Sequence, residues 1–334
     1  MISTQIAVIY MGGTFGSIGA PLYPMPAKAF LEKLQQLSIK YQFQGLEEYL
    51  LNFFEAPSIK DSSELSAIDW LEVAQQILEL SNQFQHFIII HGTDTLHYAS
   101  AFLSHLFTDR LHIIVTGSQF PLLDSNGEHL HVNSDAWTNY QFSIAQIKNI
   151  SQGCYTAFAG KLHHANQSIK THTTELEAFQ SNSLPRAWQS VVQDLDFHQI
   201  KHWILQVKDI RITNLYCTPS PPDQLAIQLN VLSENPPQIL ILQTFGSGNL
   251  AYSASLKSAL QNLIAKNCWV IISSQVLFGE LSNGYAVSSW LSELGVIIEP
   301  HYSQADLYAR SMLLYLQYAD QQDWQSYWRN KAIT

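Results

Sequence analysis

The sequence predicts an α/β protein. A larger N-terminal domain is built on an open, mostly parallel sheet flanked by helices, and a smaller C-terminal α/β domain follows it. Three observations predict this. Short apolar runs rich in β-branched residues, at Ile6–Tyr10, Phe87–Ile90 and Leu111–Val115, suit strands buried on both faces. Each run hands over to glycine and hydroxyl-bearing residues. Stretches with apolar residues at helical spacing separate the runs, and such alternation is the mark of a parallel sheet with helices on both faces. The pattern pauses over 185–222, where no helical period holds and Pro185, Pro219, Pro221 and Pro222 gather. The expected domains are therefore 1–184 and 223–334, joined by a linker over 185–222. A chain of 334 residues is long enough for two cores.

The elements follow in order. Ile6–Tyr10 ends in Met11-Gly12-Gly13-Thr14-Phe15-Gly16-Ser17. A dinucleotide fingerprint would need glycine where Thr14 and Ser17 stand, and no acidic residue ends a second strand at the required distance, so that reading is excluded. Paired glycines instead let the backbone turn sharply and present the Thr14 hydroxyl. Ile18–Pro26 is a loop rich in glycine and proline, with Tyr23 at its middle. Ala27–Leu37 is a helix with Phe30, Leu31 and Leu34 on one face. Asp61-Ser62-Ser63-Glu64 precedes an apolar run and reads as the start of a helix ending near Leu80.

Phe87–Ile90 hands over to His91-Gly92-Thr93-Asp94-Thr95, then to a helix marked by Leu96, Ala99, Leu103 and Leu106. Leu111–Val115 ends in Thr116-Gly117-Ser118-Gln119. Leu122–His131 is a loop with the turn signal Ser125-Asn126-Gly127, and Val132–Ile147 is a helix. Cys154–Ala159 is a further strand, and Lys161–Thr174 is a polar loop carrying Lys170. In the second domain, Gln238–Thr244 is a strand ending in Phe245-Gly246-Ser247-Gly248-Asn249. Leu256–Ala265 is a helix, Trp269–Ser273 a strand, and Trp290–Gly295 a helix closed by its glycine.

Composition narrows the function. Charged residues make up 13% of the chain, about half the usual share, and the net charge is −10. That balance, with no lysine- or arginine-rich run, argues against a generic grip on phosphate backbones, so no nucleic-acid partner is expected. Cys154, Cys217 and Cys268 are far apart and form no paired motif, which points to a reducing compartment. The N-terminus reads as a first strand rather than a secretory leader, and no apolar run is long enough to span a bilayer. A cytoplasmic protein with no membrane partner is expected. His129 with His131, and His163 with His164, lack a third ligand at a suitable spacing, so they read as surface histidines and no metal is expected.

The chemistry-bearing residues gather at strand ends, the edge where open parallel sheets bind ligands. Thr14 and Thr93 offer hydroxyls, Asp94 a carboxylate and Lys170 an amine, the parts of a relay that activates a hydroxyl. Each also has a plainer reading. Thr93 or Asp94 caps a helix, as does Ser62. Thr14 and Asn249 hold turns, Lys170 is a solvated lysine, and Tyr23 is a packing anchor.

Gly12-Gly13-Thr14-Phe15-Gly16, Asp61-Ser62-Ser63, His91-Gly92-Thr93-Asp94-Thr95, Thr116-Gly117-Ser118-Gln119 with Pro121, Lys170-Thr171, and Phe245-Gly246-Ser247-Gly248-Asn249 resemble, in order, the signatures of bacterial-type L-asparaginases. The N-terminus makes the chain similar to the type I, cytoplasmic branch. The resemblance implies hydrolysis of L-asparagine to L-aspartate and ammonia through a threonine nucleophile and a covalent acyl-enzyme, with no cofactor. It implies Thr14 as primary nucleophile, Thr93, Asp94 and Lys170 as a second catalytic set, and Tyr23 on a loop closing over the substrate. Asp61, Ser62, Ser63, Thr93, Asp94 and Gly117 would bind substrate. Asn249 would reach a neighbouring subunit's site in a homodimer or homotetramer. Met11, Phe15 and Ser168-Ile169 depart from the family pattern without removing a reacting group. Two other readings are an ammonia-releasing subunit of a tRNA-dependent amidotransferase, disfavoured because the first motif begins at residue 12, and a non-catalytic asparagine sensor.

Overall fold

A computed structural model describes residues 4–41, 49–108, 110–181, 190–192, 194–279, 289–298, 303–319 and 324–330. It has the α/β architecture with mostly parallel sheets that the sequence predicts. The chain divides into two compact units. Unit 1 consists of the described parts of Met1–Ser181, Trp188–Val207 and Gln304–Leu313, and unit 2 of those in Lys208–Ser303 and Leu314–Thr334.

Unit 1 runs β1 (Thr4–Tyr10), β2 (Ser17–Ile18), β3 (Tyr23–Pro24), α1 (Ala27–Lys40), β4 (Tyr49–Glu55), α2 (Ala67–Leu80), β5 (His86–Ile90) and α3 (Leu96–Phe107). It continues through β6 (His112–Thr116), α4 (Ala136–Gln146), β7 (Gly153–Phe158), β8 (Lys161–His164), β9 (Ser168–Lys170), β10 (Phe179–Ser181) and α5 (Phe197–Gln206). Six strands form one sheet in the order β4-β1-β5-β6-β7-β8. All neighbours are parallel except β8, which returns antiparallel to β7. Alternation along the strands decides the layers. Ile6 and Val8 of β1, Ile88 and Ile90 of β5 and Ile114 of β6 bury one face against Phe30 and Leu34 of α1 and Tyr140 and Ile144 of α4. On the other side Phe102 of α3 packs on Trp70 of α2, with ring centroids 5.7 Å apart. Each such side chain contributes about 1.5–3 kcal/mol on burial, so the pattern selects the register.

Strand order also locates the site. From β1 the chain passes to β4 on one side, while from β5 it passes to β6 on the other. Between β1 and β5 the winding reverses, which opens a crevice at the carboxyl ends of these two strands.

Several expectations need correction. The edge strand β4 was not legible, because Tyr49–Glu55 is half-buried and its apolar residues do not alternate. Ser62–Glu64 forms a separate 3-10 turn rather than the start of the helix. The helix begins at Ala67, where Ser66 donates to Asp69 Oδ2 through its N–H (2.9 Å) and its hydroxyl (3.0 Å). The helix expected from Val132 starts at Ala136, and Val132 is 97% exposed. The polar loop of 161–174 contains β8 and β9, and β9 pairs antiparallel with β10. Of the stretch 185–222, residues 185–189 and 193 lie outside the described residues, and α5 lies within it, with Asp196 Oδ1 accepting from Gln199 N–H at 2.8 Å. His163 is buried rather than superficial, and its Nδ1 bonds Ser181 Oγ at 2.7 Å.

Unit 2 contains β11 (Ile212–Tyr216), α6 (Pro222–Glu234), β12 (Ile239–Thr244), α7 (Ala254–Ala265), β13 (Trp269–Ser274), α8 (Ser289–Ser292) and β14 (Ile297–Ile298). Its four strands pair in sequence order, all parallel. Leu240 and Leu242 of β12 and Val270 and Ile272 of β13 pack with Leu229 of α6 and Leu256, Leu260 and Leu263 of α7. Helices α9 (Gln304–Tyr318) and α10 (Trp324–Asn330) complete the chain. No described helix is long and apolar enough to cross a membrane.

Candidate active site

Hydrogen bonds that continue the sheet beyond its strands align the loops. Met11 N–H donates to Ile90 O at 2.9 Å, and His91 N–H to Thr116 O at 2.8 Å. The loops carrying Thr14, Thr93 and Gly117 thus leave neighbouring strands in register. Lys60 N–H donates to Met11 O at 3.2 Å, which ties the 56–60 segment to the end of β1 and brings in Asp61–Ser63.

Two glycines let these loops touch. Gly13 has φ +84°, and a Cβ there would run into the backbone of Gly92. At Gly92 a Cβ would lie 2.6 Å from Ser62 Oγ. No larger residue permits both approaches. Thr14 follows Gly13 directly, half-buried, and opens the 3-10 turn Thr14–Gly16.

On the β5 side, Lys170 at the end of β9 donates from Nζ to Thr93 Oγ1 at 3.0 Å and to Asp94 Oδ1 at 2.7 Å. Thr93 is buried, Lys170 mostly so, and Asp94 is 62% exposed on its side chain. Ser62 Oγ accepts from Asp94 N–H at 3.3 Å, and Ser62 O accepts from Thr95 Oγ1–H at 2.6 Å. Asp61 Oδ1 accepts from Ser63 N–H at 2.9 Å and from Ser63 Oγ–H at 2.6 Å. The Ser63 hydroxyl and then its N–H hold the Asp61 carboxyl below its ordinary range. Gly117 is buried, and its carbonyl accepts from Asn139 Nδ2 at 3.0 Å.

Thr93, Asp94, Lys170 and Ser62 therefore meet in one hydrogen-bonded group, with Asp61 and Ser63 beside Ser62. Among the described residues no hydrogen bond joins Thr14 or Tyr23 to that group; Thr14 approaches it through the Gly13–Gly92 contact. Tyr23 is 56% exposed on the β2–β3 hairpin, which Met25 N–H closes by donating to Gly16 O at 3.0 Å. Asn249 belongs to unit 2, in a turn where its N–H donates to Phe245 O at 2.8 Å.

Two supporting residues were missed. His91 Nδ1–H donates to Gly92 O at 2.7 Å, and Nε2 accepts from Trp70 Nε1–H at 3.3 Å, so the ring orients the Gly92 peptide. Burial drives its pKa down to about 4 and keeps it neutral. Gln119 Oε1 accepts from Thr93 Oγ1–H at 3.4 Å, while its Nε2 donates to Thr173 O and Glu175 O at 3.2 and 3.0 Å. Both sit inside motifs visible in the sequence, but neither spacing nor composition separates a supporting residue from a neighbour. Among the described residues no group of three or more His, Cys, Asp and Glu side chains forms a metal-binding cluster.

Hydroxyls, a carboxylate and an amine gathered at the carboxyl edge of a parallel sheet are the parts of a relay that activates a hydroxyl as a nucleophile. The family model described as asparaginase, N-terminal, matches residues 5–202. The chain belongs to the asparaginase family. L-asparaginase 1 of Escherichia coli (strain K12) is 26% identical, over 100% of this chain and 97% of its own length. Two solved structures share the fold over 99% of this chain and 98% of their own. L-asparaginase I from Vibrio cholerae aligns with TM-score 0.74 at 21% identity, and the thermostable L-asparaginase from Thermococcus kodakarensis with TM-score 0.78 at 20%.

Proposed function

We propose that the chain hydrolyses L-asparagine to L-aspartate and ammonia. The observation that carries this reading is the amine of Lys170, set within hydrogen-bond distance of both Thr93 Oγ1 and Asp94 Oδ1 in the loop that follows β5, the strand beside β1. Thr14 Oγ attacks the side-chain amide carbon, and the C–N bond breaks as ammonia leaves with the threonine proton. Water then cleaves the aspartyl ester and regenerates the hydroxyl. Tyr23, on its hairpin, closes over the substrate and helps take the Thr14 proton. Thr93 and Lys170 form the second relay. Asp94 faces the substrate's ammonium, Ser62 holds its α-carboxylate, and Asp61, Ser63 and Thr93 complete the pocket. Backbone N–H groups near Thr93 and Gly117 receive the oxyanion, a contribution of roughly 3–4 kcal/mol per donor.

The protein works in the cytoplasm as a homodimer or homotetramer, with Asn249 serving a neighbour's site. The test is ammonia release from L-asparagine, L-glutamine and D-asparagine by the wild type, Thr14→Ala and Thr93→Val. Loss of turnover in both variants is expected, and wild-type rates in both overturn the reading. A pocket distinguishes glutamine from asparagine, one methylene apart, by only about 1–3 kcal/mol, so the substrate ratio is measured directly. Dilution to monomers abolishes turnover if Asn249 acts across subunits.

A further inference from the structure

The first turn of α3 carries a histidine that the proposed chemistry does not use. His97 follows Asp94 by three residues, which places it beside the Thr93–Asp94 loop. Its ring packs on Tyr98, with centroids 4.6 Å apart, and meets Phe179 at 6.2 Å and 61°. Phe179 stands directly opposite Lys170 in the β9–β10 ladder and leans on Phe158 at 4.9 Å. His97 Nδ1 is buried and has no hydrogen-bond partner among the described residues. Most buried polar atoms find a partner, and an apolar side chain of similar size would fill this gap without leaving a nitrogen unpaired. The charged and titratable groups that act on the ring are Lys170 on β9, and Asp94 and His91 in the loop before α3. Burial, and after it the Lys170 cation, push the imidazole pKa down to about 4, so the ring is neutral in neutral solution.

We propose that His97 is a positioning residue for Lys170. Its uncharged ring braces Phe179 and through it the end of β9, so that the amine stays on Thr93 Oγ1 and Asp94 Oδ1. β9 and β10 pair over only three residues, a ladder too short to hold the end of a lysine by itself. A neutral ring also leaves Asp94 to the amine, where an imidazolium would compete for it. The inference rests on the reading that the Lys170–Thr93 pair drives turnover.

The test compares His97→Ala, His97→Phe and Lys170→Met in the full chain. In His97→Ala, kcat for asparagine falls about tenfold while KM stays within about twofold, because misplacing a relay group costs rate rather than binding. His97→Phe, which restores the ring against Phe179, recovers kcat to within about threefold of wild type. The histidine resonances give the third readout: in Lys170→Met the His97 titration rises, since a cation that acts on the ring has gone, and an unmoved titration would place the amine away from the ring and overturn the proposal. A packing role without positioning would lower the melting temperature and leave kcat unmoved, which overturns the proposal. Equal losses in the alanine and phenylalanine variants also overturn it. Wild-type ammonia release by Lys170→Met is a separate result: it refutes the reading of the site itself, and with it any positioning of that amine.

Discussion

Replacing Lys170 with methionine separates stability from activity. The Lys170 side chain is 14% exposed and its ion-pair partner Asp94 is 62% exposed. With one partner so largely in water, the pair contributes only about 0–1 kcal/mol to stability. The hydrogen bond to Thr93 Oγ1 adds about 1 kcal/mol. Methionine fills the aliphatic stem of lysine with apolar contacts, which offsets part of that loss. The net change in stability is therefore about 1 kcal/mol or less, a shift of a few degrees in melting temperature. Catalysis is another matter. An amine that moves or orients a proton at Thr93 contributes roughly 10²–10⁴-fold, or about 3–5 kcal/mol of barrier. Thermal denaturation read beside an ammonia-release assay at saturating asparagine gives both quantities on one preparation. A small thermal shift with turnover reduced at least a hundredfold is expected, as about the lower bound of such catalysis. Turnover within about threefold of wild type refutes the relay. Loss of turnover together with collapse of the fold refutes the claim that this amine is chemical rather than structural.

Three further outcomes follow from the geometry. Gly13→Ala puts a side chain at φ +84° and into the Gly92 backbone; a left-handed residue alone costs about 1–2 kcal/mol, so thermal stability falls and turnover falls further as Thr14 shifts. Ser62→Ala removes the buried hydroxyl that accepts from Asp94 N–H; a loss of about 1–3 kcal/mol is expected, with KM for asparagine raised more than kcat is lowered. Acid destabilises the fold before the carboxylates titrate. His91 and His97 are held down to about 4 from 6.5, so the unfolded chain takes up protons below 6.5 while the folded chain does not. Their stabilisation is whole above 6.5 and fades as pH falls toward 4. From about pH 7 to about pH 5 each costs about 2 kcal/mol, which denaturation at the two pH values measures; no loss over that interval refutes the assignment.

The fold was legible wherever one side-chain period dominated. β1, β5 and β6 are buried on both faces and lie in apolar runs, and α1 carries a clean helical stripe. β4 was invisible because an edge strand needs neither alternation nor full burial. The start of α2 was misread because Ser62 and Ser66 both look like caps; Asp69, three residues after Ser66, decides between them. β8 and β9 were hidden because short antiparallel pairs of polar residues have no pattern strong enough to stand out. The site was legible in its residue types, since Thr14, Thr93, Asp94 and Lys170 all stood in marked motifs. Their meeting was not, because Lys170 reaches Thr93 from 77 positions away through the β9–β10 ladder. His91 and Gln119 carry no such signal because support depends on contact, which no local spacing reports.

One register links these observations. Tyr10 pairs with Ile90, and Ile90 with Thr116. Thr14, Thr93 and Gly117 lie a few residues beyond those partners, so the alignment of the strands sets the alignment of the loops. A slip of one residue between β1 and β5 would turn Ile88 and Ile90 away from Phe30 and Tyr140. It would also part Gly13 from Gly92. The apolar side chains that resist such a slip carry no reacting atom, yet their register sets the Thr14 loop beside the loop that bears Thr93 and its amine partner. A core substitution that loosens this pairing, such as Ile90→Ala, should therefore lower turnover more steeply than its thermal shift alone would suggest. The cavity costs about 2–5 kcal/mol of stability. The loop displacement acts on a barrier where a shift of about 1 Å costs a hundredfold in rate. Turnover per folded molecule, measured below the melting transition, separates the two effects; an unchanged value would mean that the loops keep their own geometry without the strands.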